Sequence, residues 1–387
     1  MNVLIYFGNQ LNPNNGGTER VACFIAEYLH RKGYKIHYLA CRPSEEGGSL
    51  ESLFLPDKEE CPTKKNVEYL RHLISEKSID VIINEGAYGE SSYLFSHEYI
   101  SAKVKIISHI HFDPVGDDRF FYRTLNLPIV GNGFNSACVS VLKWCKAPYN
   151  RLVNRRNKKA RLSHTLEMSD KVVFLTEDHI KDLKKIVQKG AFNKTIAIKN
   201  PITFDKPATK IIKQNEIVFV GRLDYASKRV DRILRIWSSL FQLHKDWKLT
   251  IVGDGKDRRR LENLSQKLKL ERVDFIGRTD PMPIYARAKI LLMTSNYEGC
   301  PMVIQEAMAF GAVPVVMNNF SGASYMILDE VNGRLAKSMN INDMIRIISE
   351  LIEVPSELRR LSENAVSAIS ALDNNTILSE WDNLIRE

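Results

Sequence analysis

Short runs of aliphatic and β-branched residues alternate with stretches of helical periodicity along the whole 387-residue chain. In the first half these runs predict strands at Val3–Phe7, Ile36–Ala40, Val81–Asn84, Val104–His109, Lys171–Leu175 and Thr195–Lys199. In the second half they predict Ile217–Val220, Lys248–Val252, Val273–Ile276, Ile290–Thr294 and Val313–Met317. Such alternation implies an α/β fold of parallel sheets with helices on both faces. The second series restarts after the polar, proline-containing stretch from Asn200 to Glu216, which places a domain boundary near Asn200. A first domain over 1–199 and a second over 200–370 are expected. Folds of this class take ligands at the carboxyl ends of their strands, here in a cleft between the domains.

Composition narrows the class. Hydrophobic residues make up 44% and charged residues 26%, as in soluble globular proteins. No apolar run approaches the roughly 18 residues of a membrane span. The opening MNVLIYFGNQ lacks a basic leader and is too short in apolar length for a signal core, so it reads as a first strand. Six cysteines show neither a CxxC pair nor a disulfide framework, and free thiols in a reducing cytoplasm are expected. The formal charge of +9 is uneven: KWCKAPYNRLVNRRNKKAR, Lys143 to Arg161, holds eight cations and no acid. A solvated helix face is one reading. The other is a patch of Arg151, Arg155, Arg156, Lys158 and Lys159 meeting anionic lipid or a polyanionic glycan, with Trp144 and Tyr149 as anchors. Nucleic acid is disfavoured, because no binding motif accompanies the charge.

Candidate chemistry gathers at predicted strand ends. Gly221, Arg222 and Lys228 follow Ile217–Val220 and precede a helix, an arrangement suited to an anion. Gly253 and Gly255 end the next strand and would let backbone approach a flat or charged group. GRTD, with Gly277 and Arg278, ends the third. The fourth carries NYEGCPMVIQEAMAFGAVPVV, with Glu298 and Glu306 eight positions apart. Were that stretch fully helical, the carboxylates would lie roughly 12 Å apart. That is too far for direct proton transfer and wider than the roughly 5–9.5 Å of glycosidase pairs, but suited to the two ends of a long ligand. In the first half, Gly16 and Gly17 open an amphipathic helix, without the dinucleotide spacing GxGxxG. ISHIHFDP sets His109, His111 and Asp113 at a period of two. As a metal site HxHxD lacks further ligands, and a histidine hydrogen-bonding a hydroxyl is the preferred reading.

Taken together, GGTER, SHIHFDP, SDKVVFLTEDHI, KNPI, VGRLDYASKR, IVGDG and EGCPMVIQEAMAFGAVPVV resemble glycosyltransferase family 4 over nearly the whole chain. These are retaining nucleotide-sugar enzymes of GT-B architecture, with two Rossmann-like domains facing across a cleft, and bacterial lipopolysaccharide and capsule transferases are among those similar. The resemblance implies transfer of a hexose from a UDP-sugar to a cell-surface glycan or lipid-linked saccharide. It implies no metal, no cofactor and no nucleic-acid partner. Arg222 and Lys228 would neutralise the diphosphate, Glu298 would lie by the donor sugar, and Glu306 would accept from the ribose. His111 would face the donor sugar and Gly17 the diphosphate or acceptor. Gly253, Gly277, Arg278, Gly299, Cys300, Pro301, Met302 and Val303 would complete the donor pocket. A C-terminal helix over about 371–387 would pack back on the first domain with Trp381 buried. Location at the inner face of a bacterial plasma membrane is expected. The chain departs from the family at Lys228-Arg229, where Lys-Gly is common, and at Cys300, where a larger residue is common. An epimerase on the same scaffold, or a non-catalytic nucleotide-sugar-binding assembly partner, are the alternatives.

Overall fold

The computed structural model describes residues 1–44, 49–124, 133–205 and 212–387, with side chains described outside 123–143. Residues 206–211 of the linker stretch, and the side chains of Cys138 and Lys143, therefore lie outside the described residues. The chain divides into two compact units.

The first unit comprises Met1–Val115, Tyr149–Thr203 and Asp373–Glu387. Its sheet contains β1 (Asn2–Asn9), β2 (Lys35–Arg42), β3 (Leu53–Phe54), β4 (Val81–Asn84), β5 (Lys105–Ile110), β6 (Lys171–Phe174) and β7 (Thr195–Ala197). The order is β3-β2-β1-β4-β5-β6-β7, and every pairing is parallel. β4 is buried at all four positions, which is why VIIN reads as a continuous apolar run rather than an alternation. The C-terminal helix Asn374–Arg386 is capped by Asp373, which accepts from the amides of Asn375 and Thr376. It packs on the helix Gly17–Arg31 and buries Trp381.

The second unit comprises Gly116–Pro148 and Phe204–Leu372. Its strands are β8 (Glu216–Val220), β9 (Lys248–Val252), β10 (Val273–Gly277), β11 (Ile290–Met293), β12 (Val313–Met317) and β13 (Arg334–Ala336), in the order β10-β9-β8-β11-β12-β13. This repeats the arrangement of the first sheet. Each sheet reverses its winding once, between β1 and β4 and between β8 and β11, and ligands of doubly wound folds bind at such points. The helix Val230–Leu240 buries Val230, Ile233, Leu234, Trp237 and Leu240 in a core that includes Phe219, Ile251 and Leu292.

Residues 116–148 group with the second unit, whereas the sequence placed them in the first. Arg119 accounts for part of this, its Nη1 donating to the Asn319 carbonyl at 3.2 Å. β3 and β13 had no counterpart among the predicted strands. They are two- and three-residue edge strands, too short to leave a periodicity. Among the described residues no helix is long and apolar enough to cross a membrane.

Candidate functional site

In the second unit the strand ends are stitched together by their own backbones. The Gly221 amide donates to Val252 O (3.0 Å), Leu223 to Asp254 O (2.9 Å) and Gly253 to Gly277 O (2.7 Å). A Cβ on Gly253 would stand 2.0 Å from the Gly221 carbonyl oxygen, and one on Gly255 would stand 2.5 Å from that of Leu223. The close approach these glycines permit is thus to the neighbouring turn. Gly277 adopts φ 77°, and Arg278 beyond it is exposed.

Past Gly221 the chain forms a loop anchored from within. Asp224 Oδ1 accepts from the Ser227 amide at 3.0 Å, and its Oδ2 pairs with Lys256 at 2.9 Å. The loop is then tied to the end of β11, across the winding reversal, by a buried polar network. The Asn296 amide donates to Ser227 O (2.7 Å), and its side-chain nitrogen donates to Ala226 O (2.8 Å). Arg232, itself buried, donates to Thr294 O at 2.8 Å and to Asn296 Oδ1 at 2.7 Å. Two loops seventy residues apart thereby bring Lys228 Nζ to 2.6 Å from Glu298 Oε1. Both side chains are largely covered, 16% and 13% exposed, while Arg222 is exposed.

The helix after this loop is Met302–Ala309, so Gly299, Cys300 and Pro301 lie outside it and the fully helical spacing estimate does not apply. Pro301 stands at its N-cap position and Met302 begins the buried face, while Val303 is half-buried. Glu306 is buried and accepts from the Tyr285 hydroxyl at 3.0 Å. Gly299 is covered by Gly322, whose added Cβ would meet the Gly299 carbonyl oxygen at 2.0 Å. Burial pushes the Cys300 thiol up to about 12, so it is no nucleophile near neutral pH.

In the first unit Gly17 opens the helix Gly17–Arg31, at the end of the loop that follows β1. Across the reversal, Glu85 follows β4 and is buried. Its Oε2 lies 2.8 Å from His109 Nδ1 and 2.5 Å from His111 Nε2, and the two imidazole centroids are 3.8 Å apart. Trp381 meets the His109 ring edge-on at 4.9 Å. Burial alone would raise the Glu85 carboxyl, but the two imidazoles outweigh it and hold it below the usual carboxylate range. Asp113, two residues beyond His111, accepts from the Val115 amide through Oδ1 at 2.9 Å. The ligand atoms of Glu85, His109 and His111 all lie within 4.8 Å of one another, close enough to hold a cation. Both imidazoles nevertheless address a single oxygen at hydrogen-bonding distance, which is the pattern of a shared proton acceptor.

The basic stretch occupies the helix Gly133–Met168. Arg155, Arg156 and Lys159 are exposed and Arg151 is half-buried, with Tyr149 and Leu152 standing out at 69% and 67% exposure. Lys158 does not belong to that patch. It is buried and donates to the Pro114 carbonyl at 3.3 Å. Trp144 is no free anchor either, since it stacks on Tyr122 at 6.3 Å. Arg161 is paired with Glu90 at 3.1 Å.

Sequence reasoning missed Glu85, Asn296, Arg232 and Tyr285. Arg232 gave no signal, since it lies off the apolar face of its helix and only the structure shows it buried.

Comparison with known proteins identifies the second unit. Residues 202–367 match the family described as Glycosyl transferases group 1. An uncharacterized glycosyltransferase of Haemophilus influenzae is 28% identical over 382 residues, 96% of either chain. A Campylobacter jejuni protein, named GalNAc-alpha-(1->4)-GalNAc-alpha-(1->3)-diNAcBac-PP-undecaprenol alpha-1,4-N-acetyl-D-galactosaminyltransferase, is 29% identical over 57% of this chain and 59% of its own. In architecture the chain is similar to Anabaena HepE, solved in complex with UDP-glucose, with a TM-score of 0.74 and 16% identity over 100% of this chain and 99% of that one. The resemblance read from the motifs is borne out at the level of group 1 glycosyl transferases over residues 202–367, and the fold is GT-B.

Proposed function

We propose that this GT-B chain, which carries a group 1 glycosyl transferase domain over residues 202–367, moves a hexose from a UDP-sugar to a cell-surface glycan or lipid-linked saccharide, retaining the anomeric configuration and using no metal. The observation that carries the reading is the juxtaposition of Lys228 and Glu298 at the winding reversal of the second sheet, with Arg222 on the same loop. A cation there can take the charge that grows on a departing diphosphate, where electrostatic stabilisation acts most strongly. Glu298 and Glu306 are acceptor-only groups suited to sugar and ribose hydroxyls. The lipid-linked acceptor is supported by the name of the Campylobacter relative. Peripheral contact with the anionic inner leaflet is supported by Arg155, Arg156 and Lys159 beside the exposed Tyr149 and Leu152.

A calorimetric screen against UDP, GDP, ADP and their sugars, with and without EDTA, tests the donor. Binding confined to uridine nucleotides, unchanged by EDTA and lost in Glu306→Ala, is expected; no nucleotide binding at all would overturn the reading. Proton NMR of the first product distinguishes retention from inversion. An epimerised sugar, free or still nucleotide-bound, formed without acceptor would instead indicate an epimerase. Flotation with neutral and anionic liposomes tests the membrane contact, and equal recovery from both would remove it.

A further inference from the structure

Glu85 is a fully enclosed carboxylate at the carboxyl end of a central strand, and such a group needs hydrogen-bonded partners of opposite or neutralising character. Its partners are two imidazoles, His109 on β5 and His111 just beyond it, and both bonds end on the same oxygen. An ionised carboxylate only accepts, so each imidazole must supply the proton. His109 is therefore protonated at Nδ1 and His111 at Nε2. The rings cannot turn away easily, because Trp381 closes on His109 and His109 closes on His111. Burial and the neighbouring His109 lower the pKa of His111, while Glu85 and Glu19 oppose them, and the direction is downward. His111 is thus a neutral ring whose free lone pair lies on Nδ1.

We propose that Glu85 is a positioning residue for sugar transfer: by holding the Nε2–H tautomer of His111, it makes Nδ1 a hydrogen-bond acceptor for a hydroxyl of the sugar substrate. This rests on the reading of the chain as a glycosyltransferase in which His111 meets substrate. The chemical consequence is selective. A hydroxyl can donate to the lone pair, whereas a carboxylate or phosphate oxygen at that place would face a lone pair backed by a buried negative charge.

The test uses the full chain with 15N-labelled histidine, long-range proton–nitrogen correlation at neutral pH, and transfer kinetics. In wild type the His111 signals, assigned with His111→Ala, are expected to show a protonated Nε2 and an unprotonated Nδ1. In Glu85→Gln that tautomer should lose its exclusivity and kcat should fall roughly 10- to 100-fold, the range seen when an imidazole loses its outer partner, with little change in donor KM. Combined with His111→Ala, Glu85→Gln should cost nothing further. A wild-type Nδ1–H tautomer, an imidazolium, or independent multiplying effects of the two substitutions would overturn the proposal. So would a stoichiometric metal in the purified protein that is lost in Glu85→Gln. Should Glu85→Gln prove unfolded by circular dichroism, the wild-type tautomer alone still decides. Full transfer by His111→Ala would overturn the premise instead, and the nitrogen spectra keep that failure separate from a wrong tautomer.

Discussion

Replacing Glu298 by Gln should move nucleotide binding and turnover in opposite directions. The Lys228–Glu298 separation of 2.6 Å corresponds to a bare attraction of roughly 6 kcal/mol at an effective dielectric of about 20. Desolvating two side chains that are 16% and 13% exposed, and ordering the lysine, offset most of this. About 1–3 kcal/mol is a realistic net value for such a charge-assisted hydrogen bond. A diphosphate that reaches Lys228 competes with Glu298 for one cation. Glu298→Gln keeps the volume and a weak acceptor but removes the competing charge. Binding of UDP should then tighten by about 1–2 kcal/mol, roughly five- to thirtyfold in Kd.

Turnover with a UDP-sugar should nevertheless drop roughly 100- to 1,000-fold, since the carboxylate assigned to the donor sugar is gone. Lys228→Ala should lower both quantities, weakening UDP roughly 10- to 100-fold. Titration calorimetry with UDP and initial rates with the donor identified by the screen provide the two readouts. The competition argument fails if Glu298→Gln weakens UDP as much as Lys228→Ala does, because the carboxylate would then be holding the loop in its binding shape.

Four further outcomes are expected. Arg222→Ala should lower kcat by roughly two orders of magnitude, whereas Glu306→Ala should act mainly on donor KM, both read from initial-rate kinetics. Gly253→Ala should destabilise the second unit by at least about 3 kcal/mol in denaturant titrations, because φ is 127° and the new Cβ would stand 2.0 Å from the Gly221 carbonyl oxygen. Burial lowers the pKa of His179 to about 4, and neither ring nitrogen has a hydrogen-bond partner among the described residues. The folded state therefore prefers the neutral ring, and its contribution is complete above the unfolded pKa of about 6.5. It is lost as pH falls toward 4, by about 3 kcal/mol. His179→Leu should flatten the stability profile over that window, and an unchanged slope would show that the ring is accessible to protons.

The strands were legible because parallel strands covered on both faces read as uninterrupted apolar runs, as in Val81–Asn84 and Ile290–Met293. What joins them was not. Lys228 and Glu298 meet because β8 and β11 are neighbours, a pairing set by sheet order rather than by spacing in the chain. The same holds for Glu85, which reaches His109 and His111 because β4 pairs with β5 in register. A glutamate after VIIN carries no pattern that links it to a histidine pair more than twenty residues later. Lys158 is a different kind of miss, since its burial was readable. Leu162, Thr165 and Leu166 follow it at the helical spacings of one buried face, and counting cations hid that period.

The Lys228-Arg229 pair shows how a departure from family pattern is absorbed. Arg229 sits at φ 53°, ψ 44°, in the left-handed region, which explains why glycine is common there and why a side chain costs roughly 1–2 kcal/mol. The guanidinium offsets that cost locally. It donates twice to Asp231, at 2.8 and 3.0 Å, and lies 4.3 Å from the Tyr225 ring centroid. Asp231 in turn stands in the first turn of the helix Val230–Leu240, where a carboxylate is favoured. The extra cation is therefore neutralised by its own helix start. Of the three cations in Arg222–Arg229, the one that breaks the family pattern is committed to structure. On the proposed function, Arg222 and Lys228 remain to meet the diphosphate, and Glu298 sets how readily the second of them is released.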